Sequence, residues 1–161
     1  MPTKRDLEAR FWKALKSDMT MMLALVGVEQ AHARPMTAQL KTGKGPVWFF
    51  TAKDNTIVKN LKKSRRGVGT FISKKHDIFA TVHGKLTLDN SKDSIDKLWN
   101  PYVAAWFEKG KEDPKLALLR FDLQKAEIWL DDSSVFAGIK LLMGLDPKKE
   151  YKNNVAKVNL K

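Results

Sequence analysis

Between residues 4 and 15 the apolar side chains Leu7, Phe11, Trp12 and Leu15 recur every three or four positions with charged residues between them, which predicts a short amphipathic helix. Residues 19–26 are instead a nearly continuous apolar run bounded by Ser17-Asp18 and Gly27. That is too short for a long buried helix and suits a strand covered on both faces. Residues 31–40, carrying Arg34-Pro35-Met36, read as a second strand. The turn Thr42-Gly43-Lys44-Gly45-Pro46 joins it to Val47-Trp48-Phe49-Phe50-Thr51, and two glycines between strand-like runs signal a hairpin. Helical spacing returns through Ile57, Val58 and Leu61 in residues 53–63, where Asp54 or Asn55 can cap the helix start.

Residues 68–73 and 78–88 form a second predicted hairpin around the charged turn Lys74-Lys75-His76-Asp77. Ile95, Leu98, Trp99, Tyr102, Val103 and Trp106 then trace a helical stripe opened by Asn90. Asn100-Pro101 splits it into two pieces, because proline has no N–H to donate. Residues 115–122 and 126–130 are the last two β runs. The lysine-rich remainder places Phe136, Ile139, Leu142 and Met143 at helical spacing before Gly144, so a helical, basic C-terminal segment is expected from about residue 133. Six or seven strands with few short helices predict a mainly β, α+β fold: an antiparallel barrel flanked by helices, since closure removes exposed strand edges. No repeat or linker divides the chain, so residues 1–161 are expected to form one domain.

Composition narrows the chemistry. The 161 residues are 43% hydrophobic, enough for a proper core, and carry a formal net charge of +12, which biases encounters toward phosphates, nucleic acid or anionic surfaces. The absence of cysteine excludes disulfides, thiolate metal sites, iron–sulfur clusters and cysteine nucleophiles. The longest apolar run is about half of the roughly 20 residues a membrane helix requires. The N-terminus is mixed in charge, without the apolar stretch of a secretory signal, and the expected compartment is the cytoplasm. Gly43-Lys44-Gly45 lacks the spacing of either nucleotide-binding glycine motif. His32, His76 and His83 are scattered, and no metal site is expected. No Gly-x-Ser-x-Gly elbow exists, and Asp131-Asp132 point apart in extended chain.

Phosphate chemistry beside aromatic surfaces remains. Arg34 sits on an otherwise small and apolar strand. The neighbouring hairpin strand offers Trp48, Phe49, Phe50 and Thr51, followed by Lys53 and a capped helix start. A fork-shaped cation, a hydroxyl, an ammonium and free helix N–H groups together suit a phosphate dianion, while the aromatics and Met36 could sheathe a planar ring. The competing structural reading makes Arg34 an ion-pair residue and the aromatics core, and Trp99, Trp106 and Trp129 read first as core. Lys62-Lys63-Ser64-Arg65-Arg66 reads as a solvated helix end; its alternative is the phosphate-contacting run of a basic nucleic-acid-binding barrel.

Taken in order, Arg34-Pro35-Met36, Trp48-Phe49-Phe50-Thr51, Val82-His83-Gly84-Lys85, Leu98-Trp99-Asn100-Pro101, Trp106-Phe107, Gly110, Asp113-Pro114 and Ala126-Glu127-Ile128-Trp129 resemble one family. It is the flavin-binding split barrels related to pyridoxamine 5′-phosphate oxidase, in the bacterial general stress protein branch. The resemblance implies a six-stranded split barrel, a homodimer, and FMN, with FAD as the alternative, in clefts at the dimer interface. It implies that Arg34, Pro35, Met36, Phe49, Phe50 and Thr51 line the flavin and that Lys53 or Lys59 meets its phosphate. It also implies that Trp129 reaches the flavin of the other subunit. The oxidase follows its equivalent Trp with an Arg-x-His pair and a further Arg; residues 130–139 hold neither Arg nor His, which speaks against the vitamin B6 oxidase reaction. The implied activity is flavin binding, with flavin-dependent oxidoreduction of an unknown substrate. A basic nucleic-acid-binding barrel is the alternative, and a B6-phosphate or heme-type ligand a third reading.

Overall fold

The computed structural model describes residues 2–131 and 154–160. The expected helix around Phe136 to Met143 lies outside them. Helix α1 (Lys4–Asp18) begins at a capping box in which the Thr3 side chain accepts from the Asp6 N–H and the Asp6 carboxylate accepts from the Thr3 N–H. Those bonds hold the Asp6 carboxyl below its usual range. The helix buries Leu7, Phe11, Trp12 and Leu15, the face its periodicity predicts.

The strands are β1 (Thr20–Leu25), β2 (Arg34–Thr37), β3 (Gln39–Leu40), β4 (Val47–Ala52), β5 (Ser64–Ile72), β6 (Ile78–Leu88), β7 (Leu116–Leu130) and β8 (Val155–Asn159). All pairings are antiparallel, in the order β2-β1-β5-β6-β7-β4-β3, with β8 also on β7. The sheet curls until β2 meets β4, giving a nearly closed barrel whose six staves are β1, β2, β4, β5, β6 and β7. Two differences raise the strand count above expectation. Residues 31–40 are not one strand: β2 pairs with β1 and β3 with β4, and at the switch the Ala38 N–H donates to the Met19 carbonyl instead. The basic tail supplies β8, which its lysine-rich composition conceals. Strand β1 is not covered along the whole of its outer face: Thr20 and Met22 point outward and are exposed, whereas Ala24 on the same side is buried.

Strand β7 runs through the two segments expected as separate strands. Its register shows why they look separate. His83 faces Lys125 and Gly84 faces Leu123, so Gln124 is an extra residue in a bulge. Before it, Leu119, Phe121 and Leu123 point into the barrel; after it, Ala126, Ile128 and Leu130 do, and the bulge absorbs the change of parity. The β6 and β7 backbones converge there so closely that a Cβ on Gly84 would collide with the Asp122 carbonyl.

Outside the barrel, Trp48, Leu116 and Leu118 pack against Ile95, Leu98, Val103 and Phe107 of the α3–α4 region. Helices α3 (Lys92–Leu98) and α4 (Pro101–Ala104) are the two expected pieces, with Pro101 opening the second. The cap of α3 is Ser91 rather than Asn90, whose amide instead donates to the Leu116 carbonyl and accepts from the Leu118 N–H. Helix α2 (Thr56–Leu61) ends before the basic run, so Ser64, Arg65 and Arg66 belong to β5 rather than to a helix end. No helix among the described residues is long and apolar enough to cross a membrane.

The Gly84 contact yields a direct test. Gly84→Ala is expected to lower stability by about 1–3 kcal/mol, the usual range for overpacking. Gly43→Ala, at a position with open space, is expected to be near neutral. Thermal denaturation of both variants measures the difference.

Candidate functional site

Arg34 opens β2, on the barrel edge that meets β4. Its register opposite Leu23, with Met36 opposite Met21, turns both side chains to the inner face, where Leu23, Met21 and Met36 are buried. Pro35 points outward and is exposed, on an edge strand that tolerates its missing N–H. Beyond the two-residue pairing with β3, β4 has no ladder partner on this side, so β2 and β4 form a seam closed by side chains.

Asn55 links that seam. Arg34 Nη1 donates to Asn55 Oδ1 at 3.3 Å, Asn55 Nδ2 donates to Thr51 Oγ1 at 3.0 Å, and the Ile57 N–H donates to Asn55 Oδ1 at 2.9 Å. One amide therefore caps α2, holds the guanidinium and positions the hydroxyl. The free N–H group expected at this helix start is thus partly taken, and α2 is only 6 residues long, so the site depends on side chains instead. Donor capacity remains for a ligand. Arg34 Nε is buried with no partner, and the Thr51 hydroxyl, which accepts from Asn55, keeps its own hydrogen to give. A half-buried guanidinium and a hydroxyl tied to one amide form an anion-binding cradle.

The other expected residues divide by strand parity. Phe49 points into the barrel against Phe121, ring centroids 6.5 Å apart, and is fully buried; its ring is core rather than cradle wall. Phe50 points outward and stays half-buried, edge-on to Trp99 at 6.0 Å. Lys53 and Lys59 are both exposed, and neither side chain bonds to the cradle. Trp129 lies opposite Phe79 and Val155, twelve residues along β7 from Ala117, the partner of Thr51, a strand length on the order of 40 Å. One chain does not bring it to Arg34. Trp106, expected as core, is 84% exposed beside the equally exposed Tyr102. Asn55 is the residue missed as a site member: its capping role is legible in sequence, but its bonds to Arg34 and Thr51 arise only from the meeting of β2 and β4.

Residues 6–151 match the family model described as pyridoxamine 5′-phosphate oxidase like. A general stress family protein from Xanthomonas campestris pv. campestris is 56% identical, covers 84% of this chain and 94% of its own, and superposes with a TM-score of 0.78. The general stress FMN/FAD binding protein from Xanthomonas citri is also 56% identical, covering 81% and 93%, with a TM-score of 0.77. General stress protein 26 of Jannaschia sp. CCS1, at 24% identity, shares the fold over 98% and 99% of the two chains, TM-score 0.80. General stress protein 26 of Bacillus subtilis (strain 168) is 37% identical over 46 residues, 29% of this chain and 32% of the relative.

Because Asn55 serves three partners, Asn55→Ala is expected to cost about 1–2 kcal/mol of stability, the scale of a lost helix cap with an added hydrogen bond. Asn55→Asp retains the cap and strengthens the Arg34 bond while losing the donor to Thr51, and is expected to recover most of that loss. Chemical denaturation of the two variants distinguishes them.

Proposed function

We propose that this chain, which belongs to the pyridoxamine 5′-phosphate oxidase-like family and to its general stress protein branch, binds a flavin through the Arg34–Asn55–Thr51 cradle. The observation that carries the reading is Arg34: a buried Nε without a partner, on a guanidinium already oriented by Asn55. A buried donor left unmatched is costly, and a phosphate oxygen is the acceptor that best suits a guanidinium fork. One guanidinium and one hydroxyl match the single phosphate of FMN, with FAD as the larger alternative. A bound flavin supplies two-electron redox chemistry, and the protein sets its exposure and orientation. Met36 shares the inner face of β2 with Arg34 and supplies apolar surface there, and Lys53 and Lys59 flank Asn55 in sequence and add positive charge. Family membership favours this reading over the nucleic-acid alternative. An oxidoreductase acting on an unidentified substrate is the activity we assign, with the chain acting as one flavin-binding domain.

The outer face of the sheet supports the homodimer. Row by row, Ile72 faces Phe79, Phe79 faces Trp129, and Trp129 faces Val155, with Met22 in the adjoining row. Ile72 is 57% exposed, Met22 is exposed, and no helix among the described residues covers this apolar row. A second copy packed on it would remove that area from water. It would also give Trp129, remote from its own cradle, a route to the partner's site.

Two outcomes are expected. Arg34→Ala weakens FMN binding roughly 10- to 150-fold, the range for a lost charge-assisted bond of about 1.5–3 kcal/mol, without unfolding the protein. Flavin fluorescence titration reads this, and equal affinities would remove Arg34 from the site. Sedimentation should give twice 18.3 kDa. A Trp129→Ala, Ile72→Lys double variant should sediment at 18.3 kDa, whereas an unaffected dimer would place the interface elsewhere.

A further inference from the structure

The cations of the sheet's outer face are not scattered. In the β5–β6 register Arg66 stands directly opposite Lys85, and in the β6–β7 register His83 stands directly opposite Lys125. His83 and Lys85 are two residues apart on β6 and share its outward side, so the two pairs form adjacent rows about 6–7 Å apart. All four side chains are exposed. Lys85 also faces Asp122 in register, but that carboxylate accepts from Arg120 Nε at 3.0 Å. Among the described residues none of Arg66, Lys85 and Lys125 forms an ion pair. Arg66 and Lys85 are like charges placed directly opposite one another, which destabilises a sheet, so the chain holds that row against its own repulsion.

The bulge is the device that brings them together. In a regular strand without the bulge, Lys125 would keep the parity of Phe121 and Leu123 and point into the core; the bulge turns it outward beside His83. The bulge and the Gly84 close approach sit between the two rows. Beside them runs a groove of about 350 Å³ lined by Thr81, His83, Lys125, Glu127, Lys157 and Asn159. Lys157 faces the Glu127 carboxylate in register, which leaves Arg66, Lys85 and Lys125, beside the His83 imidazole, as the cations of these rows.

We infer that this face is a second anion site, which takes the diphosphate group of a small ligand, one phosphoryl group against each cationic row. It does not rest on the flavin reading, since Arg34 points inward from another strand while these residues point outward. The probe is inorganic pyrophosphate, titrated calorimetrically into the full chain at low ionic strength. We expect one saturable site per chain that weakens with added salt. The Lys85→Thr, Lys125→Thr double variant is expected to lose at least tenfold in affinity, whereas two exposed lysines exchanged elsewhere, Lys92→Thr and Lys111→Thr, should leave it within twofold. Saturating FMN should not compete. In low salt without pyrophosphate, Lys85→Thr should raise Tm by relieving the repulsion, so a misfolded variant cannot imitate the result. The site is overturned by any of four results: no pyrophosphate binding, equal loss in the control pair, displacement by FMN, or orthophosphate bound as tightly as pyrophosphate.

Discussion

One strand must serve three neighbours, and the rest of the molecule follows from how it does so. The first half of β7 lies between β6 and β4, the second between β6 and β8. A regular ladder cannot bend through that fork and keep its apolar residues inward on both sides. The bulge at Gln124 supplies the bend and the change of parity, and Gly84 supplies the room for it. A continuous interior results, from Leu119 and Phe121 at one end to Ile128 and Leu130 at the other, against Phe11, Leu15 and Phe49.

Closure is incomplete where β2 meets β4, and the cradle occupies that gap. Ladder bonds that would satisfy the strand edges are replaced by three side chains, Arg34, Asn55 and Thr51, whose hydrogen bonds are not fully matched. A buried, half-satisfied polar cluster is unfavourable in a folded chain unless something completes it. The flavin phosphate is the group proposed to do so, which makes the weakest part of the barrel its binding site. The apolar row through Ile72, Phe79 and Trp129 follows the same logic at the level of assembly: its exposed surface is the one proposed to take a second copy.

Much of this was legible in the residues, and the failures have physical causes. Periodicity located α1, both hairpins and the split between α3 and α4, because each is a local pattern reinforced by caps and turns. It divided β7 in two, since Asp122, Gln124 and Lys125 interrupt the alternation that the bulge restores in space. It missed β8, a short strand with Lys157 in its middle and Lys152 and Lys161 on either side, which hide the inward Ala156. Arg34 and Thr51 stood out by residue type beside aromatics, but Phe49 and Phe50 could not be told apart until the strand's inner face was known. Asn55 looked like a cap and nothing more, because its other two partners come from a contact between distant strands. The ordered set of short motifs reached the family when no single motif could.

The Arg34 cradle is proposed to hold a flavin. The most direct measurement is the visible absorption spectrum of protein purified fresh from cells, before and after adding FMN. A flavin band that stays with the protein through gel filtration is the predicted result. A colourless protein that takes up no added FMN, while remaining folded, would contradict it.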